Sequence, residues 1–156
     1  MRRVFLCILA AAVCAALIAP LQAAVRPPKL QYQMATLPNG LRVILSEDHS
    51  TPIVHVSLWY HVGSKNEKPG RTGFAHLFEH MMFKGSKNVE PDAHTSIVSS
   101  VGGRSNAYTT EDTTVFWQTV PQQSLPMVLW LEADRMATLR DDEEAFRRER
   151  EVVKEE

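Results

Sequence analysis

The apolar positions change their period several times along the chain, and each change marks an element. Two short β-rich runs, 33–37 and 41–46, flank Pro38-Asn39-Gly40 and predict a hairpin turning at Asn39-Gly40. The run 53–62 is rich in β-branched and aromatic residues and predicts a central strand. Residues 63–73 are polar and turn-rich, and read as a loop. From Gly73 to Phe83 the apolar residues take helical spacing, ended by Lys84-Gly85. A second helix is expected over 91–101, stopped by Gly102-Gly103, followed by strands over 104–109 and 113–120. Residues 123–139 are amphipathic with a helical period. A highly charged last helix is expected over 143–156, with Asp141-Asp142 placed to favour the N-terminal end of its dipole. Strands and helices mixed in this order predict an α+β fold, an antiparallel-rich sheet with helices packed on one side.

The first 23 residues follow a different pattern. Arg2 and Arg3 form a basic start, residues 4–18 an apolar core, and Pro20-Leu21-Gln22-Ala23-Ala24 a small-residue cleavage region. This is the layout of a secretory signal peptide, with cleavage expected after Ala23 or Ala24. The apolar run is short for a retained membrane span. Paired arginines also resemble a twin-arginine signal, although the strongly apolar core favours the general secretory route. Residues 24–33, with Pro27-Pro28, read as a linker, and 34–156 as the folded region. Both cysteines, Cys7 and Cys14, lie in the leader, so the mature chain has no thiol, and any metal must be held by nitrogen and oxygen. Export without disulfides is compatible with a bacterial periplasm. The formal net charge of −1 gives no nucleic-acid footprint. Without Arg2 and Arg3, the 17 basic residues become 15 against 18 acidic ones, a net −3.

The chemistry concentrates in His76-Leu77-Phe78-Glu79-His80. On a helix, positions i, i+3 and i+4 share one face, so His76 and His80 can point at one ion with Glu79 beside them. Two imidazoles suit Zn²⁺, and a catalytic zinc wants one more protein ligand and an open water position. This His-x-x-Glu-His order is the inverzincin signature. The third ligand is sought on the last helix, where Glu149, Val152, Val153 and Glu156 form one stripe. Carboxylates on an apolar stripe need a partner or a metal. Read alone, the helix is better explained as a surface helix laced by pairs such as Glu144–Arg148 and Glu151–Arg147. With the histidines upstream, Glu156 becomes the expected ligand and Glu149 its support.

These motifs together resemble the N-terminal part of an insulinase/pitrilysin-family zinc metallopeptidase, of the group that includes mitochondrial processing peptidase. GRTGFAHLFEHMMFKGS (70–86) carries the histidine motif with Gly73, Ala75 and Gly85-Ser86 around it. GGRSNAYTTEDTTVFWQTV (102–120) resembles the strand pair that follows, and the end of the chain resembles the helix that supplies the third ligand. The resemblance implies that Glu156 is that ligand and Glu149 the accompanying acidic residue. It also implies that the strand holding Asn106, Ala107 and Tyr108 lies beside the metal and pairs with extended peptide. Asn106 can bond a substrate carbonyl or simply close the turn after Gly102-Gly103. A second homologous domain or subunit is implied as partner, with peptides as substrate.

The reading is thus a zinc endopeptidase in which Glu79 takes the proton from the attacking water and returns it to the leaving amine. Its rival is a catalytically idle fragment or a non-catalytic partner subunit. The sequence stops on Glu156, so the isolated 156 residues are expected to make a poor peptidase. A structural zinc module is disfavoured, because such sites are usually closed by four ligands and rich in cysteine. The other histidines, His49, His55, His61 and His94, are expected to be surface, loop or helix-start residues rather than ligands. Phe116, Trp117 and Trp130 are expected to pack in the core or against the sheet.

Overall fold

The computed structural model describes residues 29–156, so the leader, both cysteines and the first half of the linker lie outside the described residues. The described residues fall into two compact units, divided between Asp48 and His49. In the first, strands β1 (Gln33–Thr36) and β2 (Arg42–Leu45) pair antiparallel, with Met34 opposite Ile44. The turn between them is longer than a two-residue turn. Gly40 N–H donates to the Leu37 carbonyl at 2.9 Å, and the Asn39 side chain accepts from Leu41 N–H at 3.1 Å.

The second unit holds β3 (Ile53–Tyr60), α1 (Phe74–Met81), α2 (Ala93–Ser100), β4 (Arg104–Thr109), β5 (Thr114–Pro121), α3 (Leu125–Thr138) and α4 (Glu143–Glu155). Its sheet has the order β3-β5-β4 and is antiparallel throughout, with β5 in the centre, so β3 is an outer strand of the described sheet and not the central one expected from its composition. Alternation decides which face is covered. Val54, Val56, Leu58 and Tyr60 are half-buried, whereas Ile53, His55, Ser57 and Trp59 are exposed. On the covered face, Val120 joins Val98 of α2 and Val128 and Leu131 of α3 in one buried cluster, with Val54 and Val56 against it. The helices therefore sit on one side of an antiparallel sheet, as the sequence predicts. A second cluster, Leu77, Met81 and Ala145 with Phe146 and Val153 against it, joins α1 to α4.

Two aromatic expectations separate here. Phe116 is in the core, and Trp117 is half-buried on the other sheet face. Trp130 is not a core residue: it is 48% exposed, because its neighbour Leu131 takes the inward position on α3.

The covered face also buries charge. Glu132 accepts from Arg135 Nε at 2.9 Å and from its Nη2 at 2.5 Å, and Gln118 Nε2 donates to the same carboxylate. The Arg135 guanidinium lies 4.4 Å from the centre of the Phe116 ring, where a cation meets the negative ring face. Burial pushes the Glu132 carboxyl up. His94, 3.7 Å away, and the charge and hydrogen bonds of Arg135 outweigh that, and it settles below the usual glutamate range. A depressed folded pKa means stability present above the unfolded value and lost as pH falls through the folded one.

Two outcomes follow from this packing. Leu131→Ala should destabilise by about 2–5 kcal/mol and Trp130→Ala by roughly 1 or less, read by chemical denaturation. Equal costs would mean that the phase of α3 is wrong. In pH-dependent thermal melts, the advantage of wild type over Glu132→Gln should be full above pH about 4.3 and shrink below it.

Candidate metal centre

The histidine helix is fixed at its start by a distant carboxylate. The α1 N-cap is Gly73 at φ 88°, a left-handed conformation that suits glycine, and it has no side chain to cap the helix. The first turn contains no acidic residue. Glu67 takes that place: its two oxygens accept from Gly73 N–H and Ala75 N–H, each at 2.8 Å. A carboxylate there satisfies two orphan donors and complements the helix dipole. The loop leading to Glu67 is itself pinned. Ser64 N–H donates to the Thr110 carbonyl at 3.1 Å and Lys65 N–H to that of Glu111 at 3.0 Å. A Cβ on Gly63 would stand 2.3 Å from the Thr110 oxygen, so only glycine allows this approach.

From α1, His76 and His80 present their rings edge to face, with Nε2 atoms 3.1 Å apart. Glu156, at the end of α4, brings Oε2 to 3.3 Å from His76 Nε2 and 3.5 Å from His80 Nε2. One ligand atom from each of the three lies within 4.8 Å of the others. Among the described residues this is the group of three histidine or acidic side chains placed to share an ion. The second carboxylate of α4, Glu149, is buried at 5% side-chain exposure and reaches the other nitrogen of His80, Oε2 to Nδ1, at 3.4 Å. Its Oε1 meets Lys84 Nζ at 3.1 Å and Arg148 Nε at 3.4 Å. Burial pulls the Lys84 ammonium down, but its hydrogen bonds to Asp92 and Glu149 outweigh this and hold it above the usual lysine value. Asp142 starts α4 by accepting from Ala145 N–H at 2.9 Å, the N-terminal role expected of the Asp141-Asp142 pair.

The expected ion pairs on α4 form differently. Arg147 pairs with Glu143, and Glu151 with Arg150 and Lys154, in place of Glu144–Arg148 and Glu151–Arg147. Glu79, between the histidines, accepts from the Thr109 hydroxyl at 2.5 Å. Glu79 also lines an apolar cavity of about 440 Å³, together with Phe74, Phe78, Met82, Tyr60 and Val62.

Asn106, Ala107 and Tyr108 lie on β4, an outer strand of the described sheet. Asn106 sits inside the strand opposite Trp117 and bonds the next backbone N–H at 2.9 Å, so it does not close the preceding turn. Of the remaining histidines, His55 is exposed and its Nδ1 lies 2.9 Å from the Thr119 hydroxyl. His94 stands in the first turn of α2, as expected, and is buried beside Glu132.

Sequence reasoning missed Glu67, Thr109 and Lys84. Their signals were weak: a glutamate in a polar loop, a threonine ending a strand, and a lysine read only as a helix stop.

A helix bearing two histidines is thus clasped by a charged helix and backed by an antiparallel sheet. Residues 42–156 match the model of Insulinase (Peptidase family M16), and the chain belongs to that family. It is 39% identical over 127 residues to the zinc protease PqqE of Helicobacter pylori, covering 81% of this chain and 29% of that one. It is 33% identical over 123 residues to a probable mitochondrial-processing peptidase subunit beta of Arabidopsis thaliana, covering 79% and 23%. The crystal structure of a protease from Helicobacter pylori superposes with a TM-score of 0.77 at 37% identity, covering 81% of this chain and 30% of that one. The chain thus spans less than a third of the length of these relatives.

Replacing Glu67 by Ala should lower unfolding stability by about 2 kcal/mol, since two part-buried N–H groups lose their acceptor at once. Glu67→Gln, which keeps one oxygen, should recover part of that loss in the same denaturation curves.

Proposed function

We propose that this chain is the metal-binding part of a zinc-dependent endopeptidase, in which His76, His80 and Glu156 hold the ion and Glu79 is the general base. The observation that carries the reading is the convergence of His76 Nε2, His80 Nε2 and Glu156 Oε2 within 4.8 Å, with Glu79 on the same helix. Two imidazoles and a carboxylate fit zinc and leave a position for water. Zinc bound there would supply Lewis acidity, lowering the pKa of a water and polarising a peptide carbonyl. Glu149 supports the fit: a carboxylate at His80 Nδ1 fixes the ring orientation and leaves Nε2 as the donor. Glu79 would accept a proton from the attacking water and deliver it to the leaving amine.

β4, an outer strand of the described sheet, offers backbone groups to an extended peptide, with Asn106, Ala107 and Tyr108 as the contacting residues. Backbone pairing of this kind selects for extended chain more than for particular side chains. The relatives are more than three times longer than the matched segment, which supports a second homologous domain or subunit as partner. The leader reading adds export, by the general secretory route, to a bacterial periplasm.

The test is made on the complete gene product. His76→Ala and His80→Ala should each abolish zinc binding by elemental analysis, while His55→Ala keeps it. Glu79→Gln should keep zinc and lose peptide hydrolysis by about 10²–10⁴-fold. Near-normal turnover by Glu79→Gln would remove Glu79 from the role of base.

A further inference from the structure

We propose that Thr109 is the positioning residue for Glu79, tying the candidate base to the strand on which a peptide would pair. The inference rests on the general-base reading above and adds to it the device that aims the base. Thr109 ends β4 and donates its hydroxyl to Glu79 Oε2 at 2.5 Å. A hydroxyl has one proton, and it is committed here to a carboxylate, the stronger kind of acceptor. Oε1 of Glu79 makes no hydrogen bond among the described residues, so one oxygen is held and the other is left to take a proton.

The anchor behind Thr109 is stiff. Thr109 pairs in register with Thr114, and their hydroxyl oxygens are 3.4 Å apart. Thr114 in turn donates to the Val62 carbonyl at 3.0 Å. The turn between the two strands is closed by Thr110 N–H to the Thr113 carbonyl at 2.8 Å. That same turn receives Ser64 and Lys65 N–H, and the loop that follows them delivers Glu67 to the start of α1. The helix bearing Glu79 and the strand ending in Thr109 are therefore joined twice, once at the helix start and once at the carboxylate. A β-branched threonine restricts χ1, which makes it a better pointer than serine. Holding a base within a few tenths of an ångström matters, because a misplacement of about 1 Å can cost roughly a hundredfold in rate.

Thr109→Val keeps the shape and the β-branch but removes the donor. In the complete gene product, kcat for a quenched peptide should fall about tenfold while KM changes less than about twofold and zinc content is unchanged. Thr109→Ser should restore most of the rate. Turnover by the Val variant at the wild-type rate, or a Ser variant as slow as the Val one, would overturn the proposal. A readout without activity decides it separately. In a double-mutant cycle followed by thermal unfolding, Thr109→Val should lower the midpoint in wild type and much less in a Glu79→Ala background. An equal shift in both backgrounds would mean the two side chains are not coupled. Failure of the general-base reading has its own signature, a Glu79→Gln variant that still hydrolyses peptide, and the stability cycle reports on Thr109 whatever that variant does.

Discussion

The contact of Leu77 and Met81 on α1 with Ala145, Phe146 and Val153 on α4 is the constraint from which the rest of the site follows. It is an ordinary apolar contact, but it fixes the phase of both helices. With Leu77 and Met81 turned inward, His76, Glu79 and His80 can only face the neighbouring sector of α1. With Ala145 and Val153 turned inward, Glu149 and Glu156 fall on the rows that meet those histidines. Neither helix would hold its position alone. The first is eight residues long, and the second is so polar that only its apolar stripe attaches it. Apolar burial supplies the free energy and the polar groups inherit the geometry.

That geometry has a cost, which the charges around Glu149 offset. A carboxylate at 5% exposure would be strongly unfavourable without partners. Lys84 and Arg148 approach one oxygen and His80 the other. Lys84 is itself held by Asp92 at 2.8 Å, which ties the loop before α2 into the same chain of charges. A cation bound between the histidines would see Glu156 directly and Glu149 through a ring. The two carboxylates of α4 thus divide the work: the exposed one offers an oxygen, and the buried one orients an imidazole.

Most of the architecture was legible in the sequence because it rests on period. The β-branched and aromatic content of β3 and the helical spacing of α1 and α4 are local signals, and the elements follow them to within a few residues, although strand order, which put β5 and not β3 in the centre, is not a local signal. The pairing of His76 with His80 in one cluster was legible for the same reason, since the two stand one helical turn apart. What was not legible depends on the path of the backbone between elements. Glu67 reaches α1 across a loop whose shape is set by Gly63 packing against the β4–β5 turn, and no spacing rule encodes that approach. Thr109 meets Glu79 only because β4 ends where α1 passes. Trp130 was misread from its size: an aromatic residue suggests a core, but the phase of α3 gave the inward position to Leu131. The α4 ion pairs were misassigned because exposed arginines and glutamates have several partners of nearly equal worth, and spacing alone does not choose among them.

In the proposed peptidase, the chemistry and the holding of a peptide draw on different parts of the fold. The donors for an ion and the candidate base come from two helices, and the residue that aims the base comes from a strand. All of them lie within one compact unit, although the relatives are more than three times as long as the matched segment. Bond cleavage needs donor atoms fixed to fractions of an ångström, which favours short, packed elements with few degrees of freedom. Holding an extended peptide needs area and hydrogen-bonding edges, and β4 presents only one such edge. A length of polypeptide can therefore be added to extend binding without disturbing the chemistry, provided it leaves the α1–α4 contact and the Thr109 end of β4 in place. The proviso falls hardest on Leu77 and Met81, which set the phase of α1 and with it the direction of both histidines.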